Sequence, residues 1–144
     1  MRLALPQPFE DLGHTADVGV RVRGATAEEA LARLVLAFAT LASGGAGVAA
    51  EREERVAVQG GPGHAGSAVA LLRELLYRLA TEGLVPAACE VLRVDAAGAE
   101  AIVAFGRRDP VRHAEGADVK AVTWHVARLE REDGGWVAQA VFDV

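Results

Sequence analysis

Apolar residues recur along this chain at two spacings. Between Thr26 and Gly45, Ala27, Ala30, Leu31, Leu34, Val35 and Phe38 lie three and four positions apart, which lines one face of an α-helix. Thr26, with Glu29 three residues on, forms a capping-box pattern in front of that stripe, and Ser43-Gly44-Gly45 closes it. Leu72, Leu75, Leu76 and Leu79 make a second stripe and predict a helix over 67–82, with Gly83 as its stop. Elsewhere the period shortens to two or the run is continuously apolar, predicting strands at 18–24, 52–60, 88–95, 101–106, 119–130 and 135–144. DAAG at 95–98 and EDGG at 132–135 read as hairpin turns. The order β-α-β-α-β-β-β-β, with short turns between the later strands, predicts an α+β fold. A largely antiparallel β-sheet would carry two amphipathic helices. At 144 residues the chain is expected to form one domain, 1–144.

Composition narrows the function classes. The chain is 51% apolar and 24% charged with a net charge of −5, a packed globular composition without a broadly basic surface for nucleic acid. No run approaches the roughly 18–20 apolar residues of a membrane helix. Pro6 and Pro8 interrupt the N-terminus early, so the chain reads as cytoplasmic. The single Cys89 lies in a strand-like run and reads as a small buried hydrophobe, not a reactive thiol. GGAG and GGPGHAG are ordinary turns; neither has the context of a phosphate-binding loop. No nucleophile elbow or HExxH motif occurs, so nothing in the sequence proposes a catalytic mechanism of its own.

Four stretches could carry other chemistry. In LGHTADVG, Thr15 and Asp17 suit an Asx- or ST-turn against which His14 packs. His14 and Asp17 equally suit a cation site, Asp17 giving a hard oxygen and His14 a nearby donor or acceptor. The chain ends in WVAQAVFDV, where alternation puts Trp136, Ala138, Ala140 and Phe142 on one face and Val137, Gln139, Val141 and Asp143 on the other. Asp143 beside the α-carboxylate of Val144 brings two anions together, either solvated or neutralised. If Asp17 lay close by, a divalent ion such as Ca²⁺ or Mg²⁺ would hold the three carboxylates. Lys120, in DVKAVTWH, is the only lysine beside fourteen arginines. Alternation groups it with Val122, Trp124, Val126 and Arg128, away from His125 and Leu129. Its stem suits a position along Trp124 with the head in water, and its ammonium equally suits an acidic cluster or a phosphate. Finally, 106–118 carries Arg107, Arg108, Arg112 and His113 among Asp109, Glu115 and Asp118, which reads as a solvated or protein-docking loop. It is a weak nucleic-acid site, because no aromatic residue interleaves with the basic ones.

Taken in order, HTADVGVRVRG, TAEEAL, LLRELLYRLATEG, DVKAVTWH and WVAQAVFDV resemble the archease family over nearly the whole chain. The resemblance implies a small α+β protein without catalytic chemistry, a protein cofactor of the GTP-dependent, RtcB-type RNA ligase of tRNA splicing and RNA repair. Such a cofactor promotes guanylylation of the ligase histidine and multiple turnover. A role as chaperone or binding module for other RNA-processing enzymes, such as a tRNA methyltransferase, is also compatible with it. The resemblance further implies a metal site at Asp17, Asp143 and the terminal Val144. Its occupant would be a divalent cation, commonly Ca²⁺, with Mg²⁺ or Mn²⁺ as alternatives. His14 and Lys120 fall among the residues expected to serve ligase activation. Three places depart from the family pattern: Gly13 stands where an acidic residue usually precedes the histidine, the start of the second helix reads AGSAVALL where an acidic residue is common, and Trp124 stands where tyrosine is usual.

Overall fold

The computed structural model describes residues 1–12 and 17–144. Among these, ten elements follow in order: β1 (Leu3–Ala4), β2 (Glu10–Asp11), β3 (Asp17–Gly24), α1 (Ala27–Ser43), β4 (Arg52–Gln59), α2 (Gly63–Glu82), β5 (Leu84–Asp95), β6 (Gly98–Arg107), β7 (Ala121–Glu132) and β8 (Gly135–Asp143). The predicted α+β class and the six principal strands are present. The strands divide into two antiparallel four-stranded sheets, ordered β1-β5-β6-β4 and β2-β3-β8-β7. β1 and β2 are two-residue strands of the proline-interrupted N-terminal segment, too short to show a period.

The two sheets explain why α1 is buried on more than one face. The predicted stripe is buried, but so are Ala32, Leu36, Ala37, Ala39 and Ala42. α1 packs on β5 of one sheet and on β3 and β8 of the other, and a helix covered on several sides is apolar around most of its circumference. Its N-terminus is capped as the sequence predicts. Thr26 Oγ1 accepts the Glu29 N–H at 3.1 Å, and Glu29 Oε2 accepts the Ala25 N–H at 2.7 Å. At its C-terminus Gly44 takes a left-handed φ of 70° and donates to Thr40 O.

α2 starts at Gly63, four residues before the predicted 67. The first turn, GHAG, has no apolar stripe to reveal it. Gly66 is required there because a Cβ would collide with the backbone of Gly61. Leu72 and Leu75 are buried as expected, whereas Leu76 and Leu79 sit partly buried at the margin of the core.

Loop 106–118 is a structural clasp. His113 is buried, 2% exposed. Its Nδ1 accepts the Asp109 N–H at 2.7 Å, so the ring proton is on Nε2, which donates to Gly47 O at 3.0 Å. Arg108 donates to Ala42 O and His113 O, and the Ala117 N–H donates to Leu41 O. The carbonyls at the end of α1, which have no intrahelical partner, are thereby satisfied from a segment more than sixty residues away. Most of the loop is exposed, as the solvated reading expects, while His113 and Arg108 tie it to the end of α1 and to Gly47.

Candidate metal and docking corner

β8 lies between β3 and β7, and the registers of both pairs meet at its end. Asp143 stands opposite Asp17 on one side and opposite Ala121 on the other. The Lys120 N–H donates to Asp143 O at 2.7 Å. Residues far apart in sequence, Asp17, Lys120, Asp143 and Val144, are thus held at one corner of the second sheet. Directly opposite residues share a face with Cβ atoms about 4.5–5.5 Å apart, where like charges repel. Neither Asp17 nor Asp143 has an ion pair among the described residues. Lys120 is exposed and also makes no ion pair among them. Strand parity accounts for this: it sets Lys120 opposite to Ala121 and Asp143, on the side of Val122. His14 lies outside the described residues.

On the same face the next row is Gly19, Val141 and Thr123, and the Thr123 hydroxyl is buried without a hydrogen-bond partner among the described residues. The donor set at this corner is therefore two half-buried Asp side chains, the α-carboxylate of a Val144 whose side chain packs on the core, and an orphan hydroxyl one row in. All are hard oxygens and the carboxylates are uncompensated, which suits a cation of the Ca²⁺ or Mg²⁺ type. No cluster of three or more His, Cys, Asp and Glu side chains occurs among the described residues.

Two features here escaped sequence reasoning. β8 is buried on both faces from Val137 to Phe142, and on the outward face Val137 stands opposite Arg23 and Gln139 opposite Arg21. Gln139, 6% exposed, accepts from Arg21 Nε at 2.9 Å and donates to Val126 O at 2.8 Å. A lone amide in the run VAQAVF was the available signal. β7, in turn, does not alternate as predicted. Between Thr123 (opposite Val141) and Arg128 (opposite Gln139), four residues of β7 face Ala140 alone. This bulge shifts parity, so Val122 and Leu129 both face the core while Trp124 and Val126 are each 45% exposed. The grouping of Lys120 with Trp124, Val126 and Arg128 fails at this point. The cation over the Trp124 ring is Arg73 of α2, 5.9 Å from its centroid, and Arg73 also donates to Val122 O at 3.2 and 3.0 Å.

The family model of the archease proteins matches residues 9–144. This chain belongs to the archease family. It is 35% identical to the archease of Methanopyrus kandleri, over 95% of this chain and 99% of that one. With the archease of Pyrococcus furiosus it shares 33% identity, over 94% and 98% respectively. Among solved structures it resembles the solution structure of Methanobacterium thermoautotrophicum protein 1598, with a TM-score of 0.70, 27% identity and coverage of 94% and 98%. It has the fold of a Thermotoga maritima archease, described as a "possible chaperone", with a TM-score of 0.59, 19% identity and coverage of 97% and 98%. No helix among the described residues is long and apolar enough to cross a membrane.

Proposed function

We propose that this archease is a metal-binding protein cofactor of a GTP-dependent, RtcB-type RNA ligase, acting in tRNA splicing or RNA repair without chemistry of its own. The observation that carries the reading is the register of Asp17 against Asp143, two uncompensated carboxylates beside the chain terminus, with Lys120 tied to Asp143 through the backbone. Asp17, Asp143 and the α-carboxylate of Val144 would hold the divalent cation, Ca²⁺ first and Mg²⁺ or Mn²⁺ as alternatives. When bound, that cation supplies concentrated positive charge next to a reacting phosphate. Lys120 adds a compact, unpaired ammonium suited to a phosphate oxygen, as phosphoryl and nucleotidyl transfers require. His14 belongs with it as an activation residue.

The test is single- and multiple-turnover guanylylation of the cognate ligase, with and without this protein. Asp143→Asn and chelation should each abolish stimulation, and Lys120→Ala should abolish it with little change in melting temperature. Wild-type protein that leaves ligase turnover unaltered refutes the reading. A chaperone role, the description given as possible for the Thermotoga protein, predicts instead that solubilisation of client enzymes survives chelation.

A further inference from the structure

The bulge of β7 exposes apolar side chains and is nevertheless held firmly. Gln139 fixes its far end by donating to Val126 O, and Arg73 fixes its near end by donating to Val122 O. Val126 adopts φ 51°, a left-handed conformation unfavourable for a β-branched residue. Such a residue persists only where its surroundings over-determine it, and strained residues of this kind gather at functional sites. Ordinary folding needs favour the reverse arrangement, a regular edge strand with Trp124 turned inward.

The neighbours of the bulge have the composition of a binding hot spot. Trp124 carries Arg73 on its ring, and Tyr77, 63% exposed, lies one turn further along α2 on the same helix face. Tryptophan, tyrosine and arginine are the residues that dominate interface energies. The charge of the patch points to its occupant. The hydrogen bonds of Arg73 go to a carbonyl, not a carboxylate, and Lys120, on the strand parity of Val122, makes no ion pair among the described residues. Ten arginines are matched with acids, as in Arg78 with Glu54 and Glu74, or Arg55 with Glu100, whereas Arg73, like Arg108, Arg112 and Arg131, makes no ion pair among the described residues. An uncompensated cation, Arg73, therefore lies on Trp124, on a protein whose net charge is −5.

We infer that Trp124, Val126, Tyr77 and Arg73 form the surface by which this protein docks on its partner, inserting Trp124 into an apolar pocket rimmed by carboxylates. The inference rests on the proposed function, since the partner is the ligase whose reaction the neighbouring Asp17–Asp143 corner would assist. Lys120 immediately precedes β7, the strand that carries the bulge, so docking through it fixes where that corner lies against the partner. Docking and stimulation then separate: the bulge sets affinity and the corner sets turnover.

The experiment is calorimetric titration of the full chain into the cognate ligase, alongside the turnover assay. Trp124→Ala and His125→Glu, both at exposed positions, should weaken binding at least tenfold while the thermal melt stays that of the wild type; Trp124→Tyr should retain binding. Asp143→Asn should bind within about threefold of wild type and yet lose stimulation. If wild type binds and Trp124→Ala and His125→Glu bind within twofold of it, the docking surface is overturned and the activator reading stands. If wild type neither binds nor stimulates the ligase, both readings fall. If Trp124→Ala loses affinity for single-stranded RNA and keeps its affinity for the ligase, the surface is a nucleic-acid site and the inference is overturned.

Discussion

Replacing His113 by leucine should destabilise the fold by about 3 kcal/mol, although the residue lies in a loop with no role in the proposed activity. The imidazole is buried and bridges two backbone groups, the Asp109 N–H and Gly47 O. Leucine fills similar volume but leaves both without a partner, and a buried unsatisfied group costs about 1–3 kcal/mol. Two such groups give roughly 3 kcal/mol after partial relaxation of the loop. For a domain near 150 residues each kcal/mol moves the melting temperature by about 2–4 °C, so a fall of about 9 °C is expected in a thermal melt followed by circular dichroism. Glutamine is the control. Its amide oxygen and nitrogen can mimic Nδ1 and Nε2–H, accepting from one backbone group and donating to the other. His113→Gln should therefore recover more than half of the loss. A fall below about 2 °C for His113→Leu, or equal melting of the two variants, would refute the clasp as a contributor to stability.

Two further predictions follow from titrating groups. Burial pushes the Cys89 thiol up to about 12, so it should resist a thiol reagent at pH 8 in the native protein and react only in denaturant; equal native and denatured rates would contradict its place in the core. Its raised value also means that any stability it contributes is present below its unfolded value near 9 and lost as the pH rises towards 12. The Arg112 and Val111 N–H groups, in that order, hold the exposed Asp109 carboxyl below its ordinary 3.8. That contribution is present above pH 3.8 and lost as the pH falls through the lower folded value. Melts of wild type and Asp109→Asn should accordingly converge in strong acid, and a constant gap between them would argue against the carboxylate's charge.

Much of the fold was legible because each element carries a local signature. Thr26 and Glu29 mark the start of α1, Gly44 and Gly83 end the helices, and the DAAG and EDGG turns join β5 to β6 and β7 to β8. What failed was whatever depended on neighbours. Leu36 and Ala39 lie off the predicted stripe of α1, and only a second sheet makes them core residues. Val122 and Leu129 differ in parity, so strict alternation could not place both in the core; the bulge between them is held by Gln139 and Arg73, which no local pattern links to β7.

The candidate site divides along the same line. From the residues alone, Asp17 and Asp143 with the chain terminus were separate anionic features, and Lys120 was a solitary cation in an apolar run. Pairing of β8 with β3 and β7 brings them to one corner, because a register fixed along eight residue pairs on one side necessarily fixes its last one, Asp17 with Asp143. Chain chemistry thus determined which groups were available: hard oxygens, an ammonium, an aromatic ring, a buried thiol. Tertiary structure decided which of them meet and which are left uncompensated, since charge balance and burial are properties of neighbours in space and local sequence spacing encodes neither.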